Sequence, residues 1–177
     1  MHQETSVRRL LIAFFLLAVA EISAIAGDTV ITTNSYGPIQ LYTSASDAYD
    51  MLRTIQKKGV ARPHKNISDE ECSNYVPWKG LVFMTQFGTV VRISTTERNV
   101  VTPSGIRVGD PIEKVRSTFN GRHKEYEQRY SVNWDRDRTI VVFSRDRESA
   151  MRFDASEVVE QIFVGGKETV ERIEGCS

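Results

Sequence analysis

The chain has 177 residues, 40% of them apolar, with 23 basic and 23 acidic side chains and three histidines. Zero net charge on ordinary apolar content argues for a packed globular chain and against disorder. It also lacks the basic excess by which nucleic-acid binders neutralise phosphate, and it is poor in residues that ligate metals, so neither nucleic acid, metal nor cofactor is expected.

Residues 1–26 have the three parts of a secretory signal: a polar start ending in Arg8-Arg9, an apolar run from Leu10 to Ala20, and Ala24-Ile25-Ala26 before Gly27. The apolar run is about eleven residues, short of the ~20 needed to span a bilayer, so cleavage after Ala26 and no stable membrane insertion are expected. The remainder keeps 21 basic and 21 acidic residues. A periplasmic or secreted location follows, and an oxidising space favours joining the only two cysteines, Cys72 and Cys176. Closing that long loop would stabilise the fold by about 4 kcal/mol in the chain-entropy account.

The organising feature is a pattern that recurs at an offset of 67 residues: Ile39 with Ile106, Leu41 with Val108, Ala45 with Ile112, Ala48 with Val115, and Leu52 with Phe119. A recurrence of this kind marks one supersecondary piece used twice. In the first unit, residues 27–98, a helix is expected from Thr43 or Ser44 to Lys57, stopped by Gly59. Strands follow at Ser73–Trp78, Leu81–Phe87 and Thr89–Thr95, separated by Lys79-Gly80 and Gly88.

Residues 99–104 join this unit to the second, residues 99–177. There Asp110 suits a helix N-cap, Pro111 the first helical position, Glu113 a capping box and Gly121 the stop. Strands are expected at Lys124–Trp134, Thr139–Ser144 and Val158–Val164, and the tail brings Cys176 back to the first unit. The expected architecture is α+β: two tandem helix-plus-three-strand units whose antiparallel sheet is covered by helices on one face.

The stretch Gly105-Ile-Arg-Val-Gly-Asp110, with Glu113 and Val115 in the following helix, resembles the opening motif of small bacterial envelope domains built as helix-plus-hairpin units, of the beta-lactamase inhibitor protein type and the SmpA/OmlA type. The resemblance covers about a dozen residues and the order of elements, and it implies binding of other proteins without a catalytic centre. No binding residue is transferred by it, and the lipid-acceptor cysteine of the lipoprotein branch is absent.

Tyr126, Tyr130 and Trp134 fall on one side of a strand, because side chains alternate. That face either packs beneath the helix as core or presents aromatic anchors to a partner, with Tyr75 and Trp78 as the matching surface of the first unit. These five residues are the candidate partner-binding set. His64 and His123 lack metal-ligand spacing; His123 with Glu125 or Glu127 would be the acid-base pair of a small periplasmic hydrolase. Asp69-Glu70-Glu71 lacks the donor pattern of a calcium loop, Gly165-Gly166 lacks the rest of a dinucleotide loop, and Asn66-Ile67-Ser68 matters only where glycosylation occurs. The sequence reading is an exported protein-binding module of the envelope or extracellular space, an inhibitor or immunity-type factor of an envelope enzyme; the alternatives are that hydrolase and an envelope-assembly scaffold.

Overall fold

A computed structural model of the chain describes residues 29–56, 59–128, 136–171 and 176; the proposed signal, residues 1–26, lies outside them. Among the described residues the architecture is mostly β, 43% strand and 17% helix, and this corrects the α+β expectation of two tandem, helix-covered units. Seven antiparallel strands form one sheet in the order β4 (Ser73–Trp78), β5 (Leu81–Gln86), β6 (Thr89–Thr95), β11 (Val159–Gly166), β10 (Ser149–Ala155), β9 (Arg138–Phe143) and β8 (His123–Glu127). Two short pairs flank it: β1 (Thr29–Val30) runs parallel to β7 (Val100–Val101), and β2 (Ser35–Tyr36) is antiparallel to β3 (Ile39–Gln40). The helices are α1 (Ala45–Ile55), α2 (Ile112–Thr118) and α3 (Lys167–Glu171).

Three physical facts separate this from the expected arrangement. First, β10 is an additional strand. Its apolar residues Met151, Phe153 and Ala155 face the main core, while Arg152 and Asp154 on the other face pair through two bonds of 2.7 and 2.6 Å. Charge at alternate positions hid a strand whose charges neutralise each other. Second, β6 and β11 pair at the centre, Thr95 with Ile162 through Arg92 with Gly165, so strands from both halves make a single sheet. Third, α3 packs on the face opposite α1 and α2. Its Val170 is buried with Val141 and Ala150, apart from the main core, so helices cover both faces.

The main core lies between the sheet and the first two helices. Phe83, Ile93, Ile140, Phe153 and Ile162 from the strands meet Ala45, Ala48 and Leu52 of α1 and Ile112 and Val115 of α2. Helix α1 starts where a side-chain cap is available: Ser44 Oγ accepts from Asp47 N at 3.1 Å. Helix α2 starts one residue later than its sequence suggests. Asp110 does not cap it; its carboxylate accepts from Arg107 N at 2.7 Å and Lys114 Nζ at 2.8 Å, fixing the turn that precedes the helix.

The two helix starts are tied to the sheet alike. Tyr42 N donates to Val90 O, Val90 N to Thr43 O and Ala45 N to Gly88 O, at 2.7–2.9 Å. Sixty-seven residues on, Gly109 N donates to Val159 O, Val159 N to Asp110 O and Ile112 N to Glu157 O, at 2.7–3.1 Å. Each helix is thereby hung on the first residues of one of the two central strands.

On the second face Phe163 lies between two guanidinium groups, with Arg152 Cζ 4.7 Å and Arg92 Cζ 5.6 Å from its ring centroid. The same arginines donate to α3, Arg92 Nη1 to Thr169 O at 3.2 Å and Arg152 Nη1 to Val170 O at 3.4 Å. The chain leaves the centre of the sheet at Glu171, and by Cys176 it is at the β4 edge, bonded to Cys72 with the two Cα atoms 5.3 Å apart.

Gly165 lets α3 fold back this closely. A Cβ there would lie 2.8 Å from both Val91 O and Thr169 Oγ1 and 3.0 Å from Val170 Cγ2, whereas one at Gly166 would meet nothing nearer than Tyr42 Oη at 3.4 Å. Gly165→Ala is expected to destabilise the protein by about 1–3 kcal/mol, the usual range for overpacking, and Gly166→Ala by clearly less, read from urea-unfolding midpoints; equal losses would contradict this account. Alkylation followed by intact-mass measurement is expected to label no thiol before reduction and two after it.

Candidate functional site

The five aromatic residues singled out in the sequence do not form one surface. Tyr126, paired with Thr139 on β9, lies on the face that carries α3 and is 43% exposed. Tyr130 and Trp134 lie outside the described residues. Tyr75 is 2% exposed and part of the main core. It meets Phe83 edge-on at 5.7 Å, and its hydroxyl donates to Ala61 O at 2.8 Å; burial, then the neighbouring Tyr49, pushes its pKa up. It is therefore a core residue, which corrects its assignment as a surface anchor. Trp78 is half-buried and donates from Nε1 to Glu97 at 2.9 Å. Strands β4 and β8 are opposite edges of the sheet, about 29 Å apart at the usual strand spacing, so Tyr126 and the β4 aromatics cannot share one contact.

The histidines are held in structural roles. His123 Nδ1 is 3.0 Å from Phe119 O at the end of α2, and its Nε2 is 4.0 Å from Glu125 Oε2. Glu125 accepts from Arg116 at 2.6 and 3.1 Å. Those bonds hold its pKa below the ordinary carboxylate value, which makes it a weak base rather than an activated one. His64 Nε2 lies 2.9 Å from Ser73 Oγ and 3.6 Å from Glu70 Oε2. One ring nitrogen faces both groups, so the nucleophile-base-orienter order of a triad is not assembled.

A different pair of aromatics stands out. Tyr42 and Phe87 are 68% and 64% exposed and sit at φ +70° and +46°. Left-handed backbone costs a residue with a Cβ about 1–2 kcal/mol. Phe87 and Gly88 (φ +73°) form the two-residue turn between β5 and β6, a position that ordinarily takes Asn, Asp or Gly. The two residues belong to neighbouring segments, since Ala45 N donates to Gly88 O and Tyr42 N to Val90 O. The segments that adjoin them carry exposed acids: Asp47 in the first turn of α1, and Asp69, Glu70 and Glu71 in the loop whose Glu70 O accepts from Phe87 N at 2.9 Å. The site is an aromatic pair with an acidic rim, on the end of the sheet where β6 begins.

Sequence reasoning missed this pair for two reasons. Phe87 reads as the last residue of a strand when Gly88 alone is taken as the turn. Tyr42 carried a usable signal, because the matching position 67 residues on is Gly109, at φ +93°.

The Glu125–Arg116 pair gives a pH dependence with a definite sign. A carboxylate whose folded pKa is depressed adds stability above its unfolded pKa of about 4.3 and loses it as pH falls through the folded value. Arg116→Leu is expected to cost about 0.5–1 kcal/mol near pH 7, the part left after solvent screening. The difference from wild type should shrink as the pH is lowered below the unfolded pKa and through the folded one, measured by urea unfolding along a descending pH series.

No family model matches this chain, and no curated protein matches it significantly. A solved structure, the uncharacterized protein yfeY from Escherichia coli, is similar to it with a TM-score of 0.48 at 13% identity, over 77% of this chain and 99% of that chain.

Proposed function

We propose that the chain is an exported, non-enzymatic module of the periplasm or extracellular space that binds a protein, as the inhibitor of an envelope enzyme, through the Tyr42–Phe87 end of its sheet. The observation that carries this reading is the coincidence of exposure and backbone strain at two neighbouring aromatics. Folding alone selects against both properties. Glycine at position 87 would relieve the turn, and a polar residue would remove apolar surface from water. Strain retained at a surface position calls for a use outside the fold, and tyrosine and phenylalanine are large, stiff anchors for a protein partner.

Further observations support parts of the reading. The Cys72–Cys176 bond suits an oxidising compartment, and among the described residues no helix is long and apolar enough to cross a membrane. The matching hydrogen bonds at residues 42–45 and 109–112 favour duplication of one piece, with an aromatic placed in one copy where the other keeps glycine. The acidic rim selects a partner whose apolar recess is bordered by lysine or arginine, so binding should weaken with added salt.

The test separates anchor from scaffold. Phe87→Asn and Tyr42→Gly each remove an anchor while relieving the backbone. Each is expected to raise thermal stability, by about 2–4 °C per kcal/mol in a chain of this size, and to lower retention of the partner captured from envelope or secreted fractions at least tenfold. Variants that retain the partner as wild type does would refute the reading, whatever their stability.

A further inference from the structure

We propose that a cleft at the other end of α1, between Ile55-Gln56, the β4–β5 turn and residues 97–99, is a binding site for an organic cation, an alkylammonium or a guanidinium. It is separate from the aromatic pair. The aromatic end lies where α1 and β6 begin, and the cleft lies where both finish, about 20 Å away by the rise of seven strand residues.

The cleft has a volume of about 380 Å³ and is lined by Tyr36, Ile55, Gln56, Trp78, Glu97 and Asn99, with Thr29 at its border. That volume is in the range of small-molecule sites. Its centre is the Glu97 carboxylate. Oε2 accepts from the Tyr36 hydroxyl at 3.0 Å and Oε1 from Trp78 Nε1 at 2.9 Å. Two donors from opposite elements, β2 and β4, fix the carboxylate in one orientation, yet both are neutral and leave its charge in place. Among the described residues no lysine, arginine or histidine pairs with Glu97. A half-buried, oriented carboxylate without a countercharge is what an incoming cation completes.

Two neighbours add to the selection. The half-buried Trp78 lines the same cleft, and indole is the ring that attracts ammonium and guanidinium groups most strongly; Tyr36, buried in the core, serves through its hydroxyl alone. Ile55 and Gln56 end an eleven-residue helix, so the negative end of its dipole borders the site. Ile55, 55% exposed, provides apolar surface for the alkyl part of such a ligand. An anion would oppose the carboxylate and the helix end together.

The chain is shaped to place Glu97. In the Lys79-Gly80 turn, Gly80 sits at φ +100°, and a Cβ there would lie 3.1 Å from Glu97 Cγ. Thr96 N donates to Gly80 O at 2.9 Å, and Glu97 N to Thr95 Oγ1 at 3.1 Å. The glutamate stem thus runs over a turn cleared for it.

The test uses the mature chain carrying Trp134→Phe, so that Trp78 is the single indole and its N–H resonance reports on the cleft. Titration with N-acetyl-arginine-N-methylamide, presenting the group as a protein side chain does, and with agmatine, a free small cation, is expected to shift that resonance with Kd of ~1 mM, as befits ligands of this size. N-acetyl-citrulline-N-methylamide has nearly the same shape without the charge and should bind at least tenfold more weakly. Glu97→Gln should abolish the discrimination between the two. Response to agmatine alone would identify the source as a free cation, and response to both would include a side chain. Citrulline and arginine probes binding wild type equally, or no probe shifting the Trp78 resonance, would overturn the proposal. That comparison stands on wild-type Glu97 even if the Glu97→Gln variant fails to fold.

Discussion

The pairing of β6 with β11 is the contact on which the rest of the molecule depends. It spans four residue pairs, Arg92–Gly165 to Thr95–Ile162, and joins three strands from one half of the chain to four from the other. Four pairs of antiparallel backbone are a narrow seam between two such blocks, and the surrounding contacts are concentrated on it. Each flanking helix is hydrogen-bonded to the start of one seam strand. On the second face α3 lies against β6, β10 and β11, held by Arg92, Arg152 and the absence of a side chain at Gly165. The apolar core on one face and the guanidinium clamp on the other close the seam from both sides.

That clamp gives one buried cation-rich layer a definite electrostatic logic. Arg152 is almost fully buried, and the removal of a guanidinium from water is costly unless it is paired and hydrogen-bonded. Asp154 supplies the charge, with Thr139 Oγ1 donating to it at 2.8 Å, and the carbonyls of Thr169 and Val170 accept from the two arginines. These carbonyls belong to the last turn of a helix, whose orphan acceptors need donors. The arginines therefore supply donors to two of these carbonyls. A five-residue helix has no independent stability, and here the sheet supplies it.

Much of the local structure was legible from periodicity and turn chemistry. The α1 helix was expected from Thr43 or Ser44 to Lys57 and spans Ala45–Ile55, and the first three strands lie within a residue of where Lys79-Gly80 and Gly88 place them. The disulfide followed from two cysteines and an inferred compartment. The departures have a common origin, which is that alternation in a sequence reports polarity and not geometry. Segment 151–155 alternates, yet its two outer residues are an arginine and an aspartate whose mutual neutralisation is invisible in one dimension. Tyr75 reads as a surface aromatic like Tyr126, but an edge strand facing a loop buries Tyr75, while Tyr126 is exposed on the face away from the main core. How strands from distant segments order themselves across a sheet is a long-range matter that no local pattern encodes, and the seam was missed for that reason.

The comparison of positions 42 and 109 separates what the fold needs from what it tolerates. Both residues donate to a seam strand and both have positive φ, Gly109 at +93° and Tyr42 at +70°. The backbone requirement is thus common to the two helix starts, and glycine meets it at no steric cost. A tyrosine at the first start cannot be explained by the turn, since the turn is made better without it. Nor does packing explain it, because the ring is 68% exposed. The same reasoning applies to Phe87 beside it, in a turn where Gly88 already shows that left-handed backbone is required. Two departures from the cheapest local choice, on adjoining segments and with the same exposed aromatic chemistry, are the features that a partner docking on this end of the sheet, as proposed, would use.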